Sequence, residues 1–139
     1  MARPRIADAD GLAAVRACAA PVAPDQHLPA EPGADDQRDV ARPDRATQRL
    51  AVRYTLQLLT DRAPGHSVEV RIPPFAAVQA IPGPVHRRGT PSAVIEMDPV
   101  TWLALSTGGL SWAQARTAGR IRASGERADL STWLPLISL

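Results

Sequence analysis

The sequence predicts an α+β domain in which helices cover a mostly antiparallel sheet. Three observations carry that prediction. Apolar residues between positions 44 and 62 recur at helical spacing. Those between 68 and 97 alternate with polar residues at the period of a strand. Glycine and proline then divide the last third into short elements, so that strands and helices are grouped instead of strictly interleaved.

Taken in order, the chain opens with a short helix over Asp8 to Ala20, with Asp10 as its candidate cap and Leu12, Val15 and Ala19 at helical spacing. Residues 21–43 change character. Pro21, Pro24, Pro29, Pro32, Gly33 and Pro43 interrupt an acidic stretch holding Asp35, Asp36 and Asp39. Prolines at that density deny both helical and ladder hydrogen bonding, so the stretch reads as a linker. The chain therefore divides into residues 1–43, a helix and a Pro/Asp-rich linker, and residues 44–139, the main domain.

A second helix runs from about Asp44 to Arg62, capped by Asp44 or Thr47. Leu50, Ala51, Tyr54 and Leu58 cover one arc, which Val52, Leu56 and Leu59 extend round the cylinder, leaving Arg49, Arg53, Gln57 and Thr60 on the remaining face. An arc this wide predicts burial on more than one side. Ala63-Pro64-Gly65 stops the helix. Val68, Val70 and Ile72 then alternate with Glu69 and Arg71, Pro73-Pro74 forces a bend or edge, and a second strand resumes from Phe75 to Ile81. Turns at Pro82-Gly83-Pro84 and Gly89-Thr90-Pro91 precede a strand with Ala93, Ile95 and Met97 on one face. The middle third is thus expected to be an antiparallel meander.

Helix returns at Asp98-Pro99, a cap followed by proline at the first helical position, and ends at Gly108-Gly109. Ser111 and Gln114 have the spacing of a capping box for a further helix, which stops at Gly119. Ile121 and Ala123 alternate with Arg122 and Ser124 as a short strand. Asp129 heads a final turn or helix bearing Leu130, Trp133, Leu134 and Ile137, with Pro135 limiting its regularity.

Composition excludes several functions. At 139 residues the chain is one domain's length, and it can bury roughly two-thirds of its unfolded surface without disulfides or metal. All sixteen basic residues are arginine, and the absence of Lys and Asn points to a GC-rich coding genome. A net charge of +2, without clustered cations interleaved with aromatic platforms, argues against nucleic acid. The single thiol, Cys18, has no internal disulfide partner, so a reducing cytoplasm is expected. Asp8, Asp10 and Arg16 break up any secretory signal, and no run approaches the ~18–20 apolar residues of a membrane span, so no stable membrane insertion is expected.

Few residues carry chemistry. His27, His66 and His86 fall in loops without partners at ligand spacing, so no metal or cofactor is supported. Cys18 reads as a small residue in an Ala-rich helix. There is no nucleophile elbow, phosphate-binding loop or dinucleotide fingerprint. Glu69 and Glu96 are placed to face each other across strands, where exposed acids are ordinarily solvated. The His86-Arg87-Arg88 tip suits either an anion or a merely soluble hairpin end. Trp102, Trp112 and Trp133 supply most of the aromatic bulk. They either anchor the core or wall an apolar pocket between helices and sheet.

The C-terminal run now takes on a familiar shape. Met97-Asp98-Pro99-Val100-Thr101-Trp102-Leu103-Ala104-Leu105-Ser106-Thr107-Gly108, then Ser111-Trp112-Ala113-Gln114-Ala115, then Gly119-Arg120-Ile121-Arg122-Ala123-Ser124-Gly125, resembles the sterol carrier protein signature. Glu126 stands where that family often has Asp. Val68-Glu69-Val70-Arg71-Ile72-Pro73-Pro74-Phe75 is similar to the sterol-carrier-like proteins of actinobacteria. The resemblance spans residues 44–139.

What the resemblance implies is a five-stranded antiparallel sheet covered by helices, with an apolar tunnel between the layers. It implies a small cytoplasmic, non-enzymatic carrier for an apolar ligand such as a lipid, fatty-acyl chain or sterol-like molecule. The candidate wall residues are Leu56, Leu59, Phe75, Trp102, Leu105, Trp112, Trp133 and Ile137. Two other roles stay open. Related domains form the C-terminal part of mycothiol-dependent maleylpyruvate isomerases, which allows an accessory role beside a catalytic protein partner. An interaction module with a collapsed pocket is the other.

Overall fold

A computed structural model of the chain describes residues 4–19, 43–86, 88–125 and 127–139. The expected linker falls almost wholly outside these residues, as do Arg87 and Glu126. The element order is α1 (Asp8–Cys18), α2 (Arg45–Arg62), β1 (Val68–Ile72), β2 (Ala76–Ala80), β3 (Ala93–Glu96), α3 (Pro99–Thr107), α4 (Trp112–Thr117) and β4 (Arg122–Gly125), followed by one 3-10 turn at Ser131–Trp133. Among the described residues no helix is long and apolar enough to cross a membrane.

Most element starts follow from local chemistry. The Thr47 N–H donates to Asp44 Oδ1 at 2.7 Å and caps α2. The Thr101 N–H donates to Asp98 Oδ1 at 2.7 Å at the head of α3, with Pro99 in the first turn. At α4, Gln114 N–H donates to Ser111 Oγ and Ser111 N–H to Gln114 Oε1, completing the capping box. Gly108 closes α3 with φ of 82°, a left-handed conformation that a residue with a Cβ adopts only under strain. α1 departs from the expectation. Its cap position is Ala7, without a side-chain hydrogen bond, and Asp10 lies within the first turn.

The sheet differs from the sequence reading in count and in connectivity. Among the described residues it has four strands in the order β2-β1-β3-β4, instead of five. β1 pairs antiparallel with β2 and parallel with β3, and β3 pairs antiparallel with β4, so the sheet is mixed. Successive strands do reverse direction as a meander would. However, the 81–92 segment carries the chain past the start of β1, so β3 adds to the far side of β1 and not beside β2. Ala93 N–H donates to Ser67 O at 3.1 Å at that crossing. Among its described residues the segment's strand-like pairing is the isolated bridge Val85–Pro91. Pro82, Pro84 and Pro91 lack the N–H groups a further strand needs, which leaves β2 as an edge.

Register then sets the faces. Val78, Val70, Ile95 and Ala123 form one row across all four strands, and Ala80, Val68 and Ala93 form another. Val68, Val70, Ile72 and Ile95 are fully buried beneath the helices. The opposite face is polar, with Arg71, Glu96 and Arg122 in one row. This register corrects the expected facing of Glu69 and Glu96: Glu69 lies beside Val94, and Glu96 lies between two arginines.

α2 is the central helix. It packs against α1, β2 and α3, which accounts for its wide apolar arc. Tyr54 packs against α1 at Gly11, where a Cβ would run into the phenol ring. α3 is buried all round from Thr101 to Ser106. Arg62, in the last turn of α2, donates to the carbonyls of Trp133, Pro135 and Leu136 and pins the C-terminal segment across the helix end. Leu136 N–H and Ile137 N–H both donate to Ser106 O, tying the same segment to α3.

Candidate functional site

A cleft of about 450 Å³ lies between the N-terminal arm, α2 and β2. That size falls in the range of roughly 300–1,000 Å³ common for small-molecule sites. α2 contributes Arg53, Leu56, Gln57 and Thr60, one helical face read at spacings of three and four. β2 and the residue before it contribute Phe75, Ala76, Ala77 and Val78. The third wall is Pro4, Arg5 and Ile6.

Three side chains of α2, Tyr54, Gln57 and Asp61, hold the arm and the start of α1 in place. Arg5 makes a two-pronged pair with Asp61, at 2.9 and 2.6 Å. The Gln57 amide bonds the backbone of Ile6 in both directions, accepting from Ile6 N–H at 2.9 Å and donating to Ile6 O at 3.0 Å. Tyr54 donates its hydroxyl to Asp8 Oδ1 at 2.8 Å. Burial, with help from the Asp8 carboxylate, pushes the Tyr54 phenol up to about 12. The hydrogen bonds and charge of Arg5 hold Asp61 below the usual carboxylate range.

The apolar part of the cleft is built from Leu56, Phe75, Ala76 and Val78. Phe75 is half-buried, and Arg45 and Arg49 stand over its ring with guanidinium carbons 5.9 Å from the centroid. Among the described residues the charged side chains lining the cleft are Arg5, paired with Asp61, and Arg53.

Of the residues singled out in the sequence, Leu56 and Phe75 come together here. Leu59, Trp102 and Leu105 are fully buried members of the core, and Ile137 is buried at its edge. Trp112 and Trp133 are half-buried and pack against the same core from the C-terminal third. None of these six lines the cleft. Trp102 is locked in position, its indole N–H donating to Thr55 Oγ1 at 2.8 Å. Arg53, Gln57 and Thr60 lie on the polar face that helical spacing predicts for α2, a pattern that marks no site by itself. For Pro4, Arg5 and Ile6 there was no signal, since the arm's partners lie more than fifty residues away in sequence.

Elsewhere the candidates for chemistry stay apart. Among the described residues no three His, Cys, Asp or Glu side chains gather as a metal site would require. His66 bonds Gln79 on the exposed side of the sheet, and His86 forms a backbone turn with Gly89. Cys18 is half-buried, and burial pushes its thiol up, away from the reactive thiolate.

Comparison with known families gives one match. Residues 44–136, most of the chain, match the family model described as bacterial SCP ortholog, where SCP denotes sterol carrier protein. No curated protein matches the chain.

Proposed function

The chain belongs to the bacterial SCP ortholog family, and from that premise we propose that it is a non-enzymatic carrier or binding protein for an apolar ligand, taken into the cleft between the N-terminal arm, α2 and β2. The family is generally of carrier type. The observation that carries the proposal is the cleft itself, a concave surface in which Phe75, Ala76 and Val78, with the buried Leu56 behind them, stand beside polar side chains on the family's own part of the chain. Transfer of an aliphatic chain onto such a surface gains about 25 cal/mol per Å² removed from water, before ordering costs. Leu59, Trp102 and Leu105 are fully buried in the core and do not line the cleft, so filling it does not require these side chains to move.

The test uses the neutral fluorescent probe diphenylhexatriene and the full chain, stripped of bound lipid. Saturable binding is expected, with displacement by dodecanol. Ala76→Trp, which fills the cleft from its half-buried wall, abolishes binding without lowering the melting temperature. Absence of binding, or binding undiminished by Ala76→Trp, overturns the proposal.

A further inference from the structure

We propose that the outer edge of β2 is a docking site for an extended, acidic segment of a partner protein, which adds to the sheet as a further strand beneath Arg49 and Arg53. The inference goes beyond the ligand reading and stands without it. It begins with the direction of the backbone groups. Ala93 N–H donates to Ser67 O and Met97 N–H donates to Arg71 O, so the odd-numbered residues along β1 turn their backbone groups toward β3. The even-numbered ones, Val68, Val70 and Ile72, therefore bond β2 through their register partners Ala80, Val78 and Ala76. That alternation leaves the N–H and C=O groups of Ala77 and Gln79 pointing outward from the sheet. Both residues are exposed, and neither main chain has a hydrogen-bond partner on that side among the described residues. Two residues on, the edge closes, because Ile81 N–H donates to Ala63 O at 2.7 Å.

The edge also lacks the features that ordinarily keep strands from pairing. β2 contains neither a charged residue nor proline, whereas β4, the opposite edge, carries Arg122 and ends at Gly125 with φ of 88°. The cleft lies along β2, with Ala76, Ala77 and Val78 as one wall, and so leaves room for an added strand. An apolar ligand and a strand share that wall and exclude one another. What overhangs the edge sets the chemistry of the partner. Arg45, Arg49 and Arg53 recur along one face of α2; the first two stand over the Phe75 ring, and Arg53 lines the cleft beside Ala76. An acidic residue opposite Ala76, on the helix side of the added strand, meets these guanidinium groups. An apolar residue opposite Val78 extends the row of Val78, Val70 and Ile95. A second copy of this chain is a poor occupant. Two β2 edges paired about Val78 would set the two α2 helices side by side, with the same arginines facing one another.

The probe is the heptapeptide acetyl-Thr-Glu-Thr-Val-Thr-Glu-Thr-amide, which presents Glu, Val and Glu on one face in either strand direction, titrated into the full chain by calorimetry. Saturable binding is expected, weakened on the order of tenfold when glutamine replaces both glutamates. In a chain carrying Arg49→Gln and Arg53→Gln the two peptides bind equally. Methylating the backbone nitrogens of the two threonines beside the valine removes the N–H groups that face Ala77 and Gln79, and abolishes binding. Gln79→Pro deletes an outward N–H that the sheet does not use, and so abolishes binding at an unchanged melting temperature. Equal binding of the methylated and unmethylated peptides overturns strand addition. Equal binding of the glutamate and glutamine peptides to the unaltered chain overturns the acidic partner. Self-association of the chain that Gln79→Pro abolishes assigns the edge to a second copy and overturns the proposal as well. Each result reads the same whether or not diphenylhexatriene binds.

Discussion

Trp102 Nε1 donates to Thr55 Oγ1 at 2.8 Å across the α2–α3 contact, and both residues are wholly inaccessible to solvent. The threonine hydroxyl in turn donates to Ala51 O or Val52 O, at 2.8 and 2.9 Å. Every hydrogen-bonding group in this buried pair is therefore satisfied. Thr101 on α3 presents the opposite case: its Oγ1 is buried without a partner among the described residues. Thr55→Val is expected to destabilise by about 1–3 kcal/mol, because it strands the indole N–H. Thr101→Val is expected to be neutral or slightly stabilising, since it removes an unsatisfied group at constant shape. Urea unfolding of the two variants checks the contrast, and equal destabilisation by both would contradict the hydrogen-bond assignment.

Tyr54 is the only tyrosine in the chain, so its ionisation can be followed by near-ultraviolet absorbance. It is expected to titrate near pH 12 in the folded protein instead of near 10, chiefly because it is buried and secondarily because it bonds Asp8. A raised folded value favours the protonated, folded state. Its contribution to stability is whole below about pH 10 and is lost as pH rises through about 12. Deleting residues 1–19 uncovers the ring and should return the phenol toward its ordinary value. Asp8→Asn should lower it only part of the way, since burial is the larger cause.

Gly11 is where α1 meets the Tyr54 ring with no room for a Cβ. Gly11→Ala is expected to cost about 1–3 kcal/mol by overpacking and to displace α1 from α2. Faster cleavage of the arm in limited proteolysis, together with a lowered Tyr54 ionisation, is the expected signature. An unchanged Tyr54 titration would show that the contact absorbs the methyl group.

Two carboxylates should respond differently to removal of their charge. Asp98 is half-buried and caps α3 through the Thr101 N–H, so Asp98→Ala is expected to destabilise by about 0.5–2 kcal/mol. Asp61 pairs with Arg5, but the two side chains are 44% and 67% exposed, and Asp61→Asn should barely move the melting temperature. The Arg5 partnership depresses Asp61, so its contribution is present above the usual aspartate range and fades as pH falls through the lowered value. Thermal melts at neutral and acid pH distinguish the two sites.

The legible part of the site is the part carried by periodicity. Leu56 stood on the apolar arc of α2 and Phe75 at the entry to a strand, and both line the cleft. Arg53 was readable as a residue of the polar face, yet its lack of a partner was not. That property depends on where Asp61 and the arm lie, and Arg5 takes Asp61 from across the fold. Trp102, prominent in the sequence as aromatic bulk, carries no mark that separates a pocket wall from a core anchor. Only its neighbours do, and here they enclose it fully.

By itself the sequence determined the helices at 44–62 and 98–107, the capping box at Ser111 and Gln114, the alternation of β1 and the resemblance to the sterol carrier proteins. Each rests on interactions within a turn or two of chain, or on side-chain period, and is therefore written locally. Tertiary structure alone decided that β1 lies at the sheet's centre with a parallel neighbour, that β2 is an edge, and that the N-terminal arm closes a cleft over it. Strand neighbours are chosen by which apolar faces can be buried together once loops are closed. Val68, Val70 and Ile72 are each fully buried on β1, the strand that β2 and β3 flank.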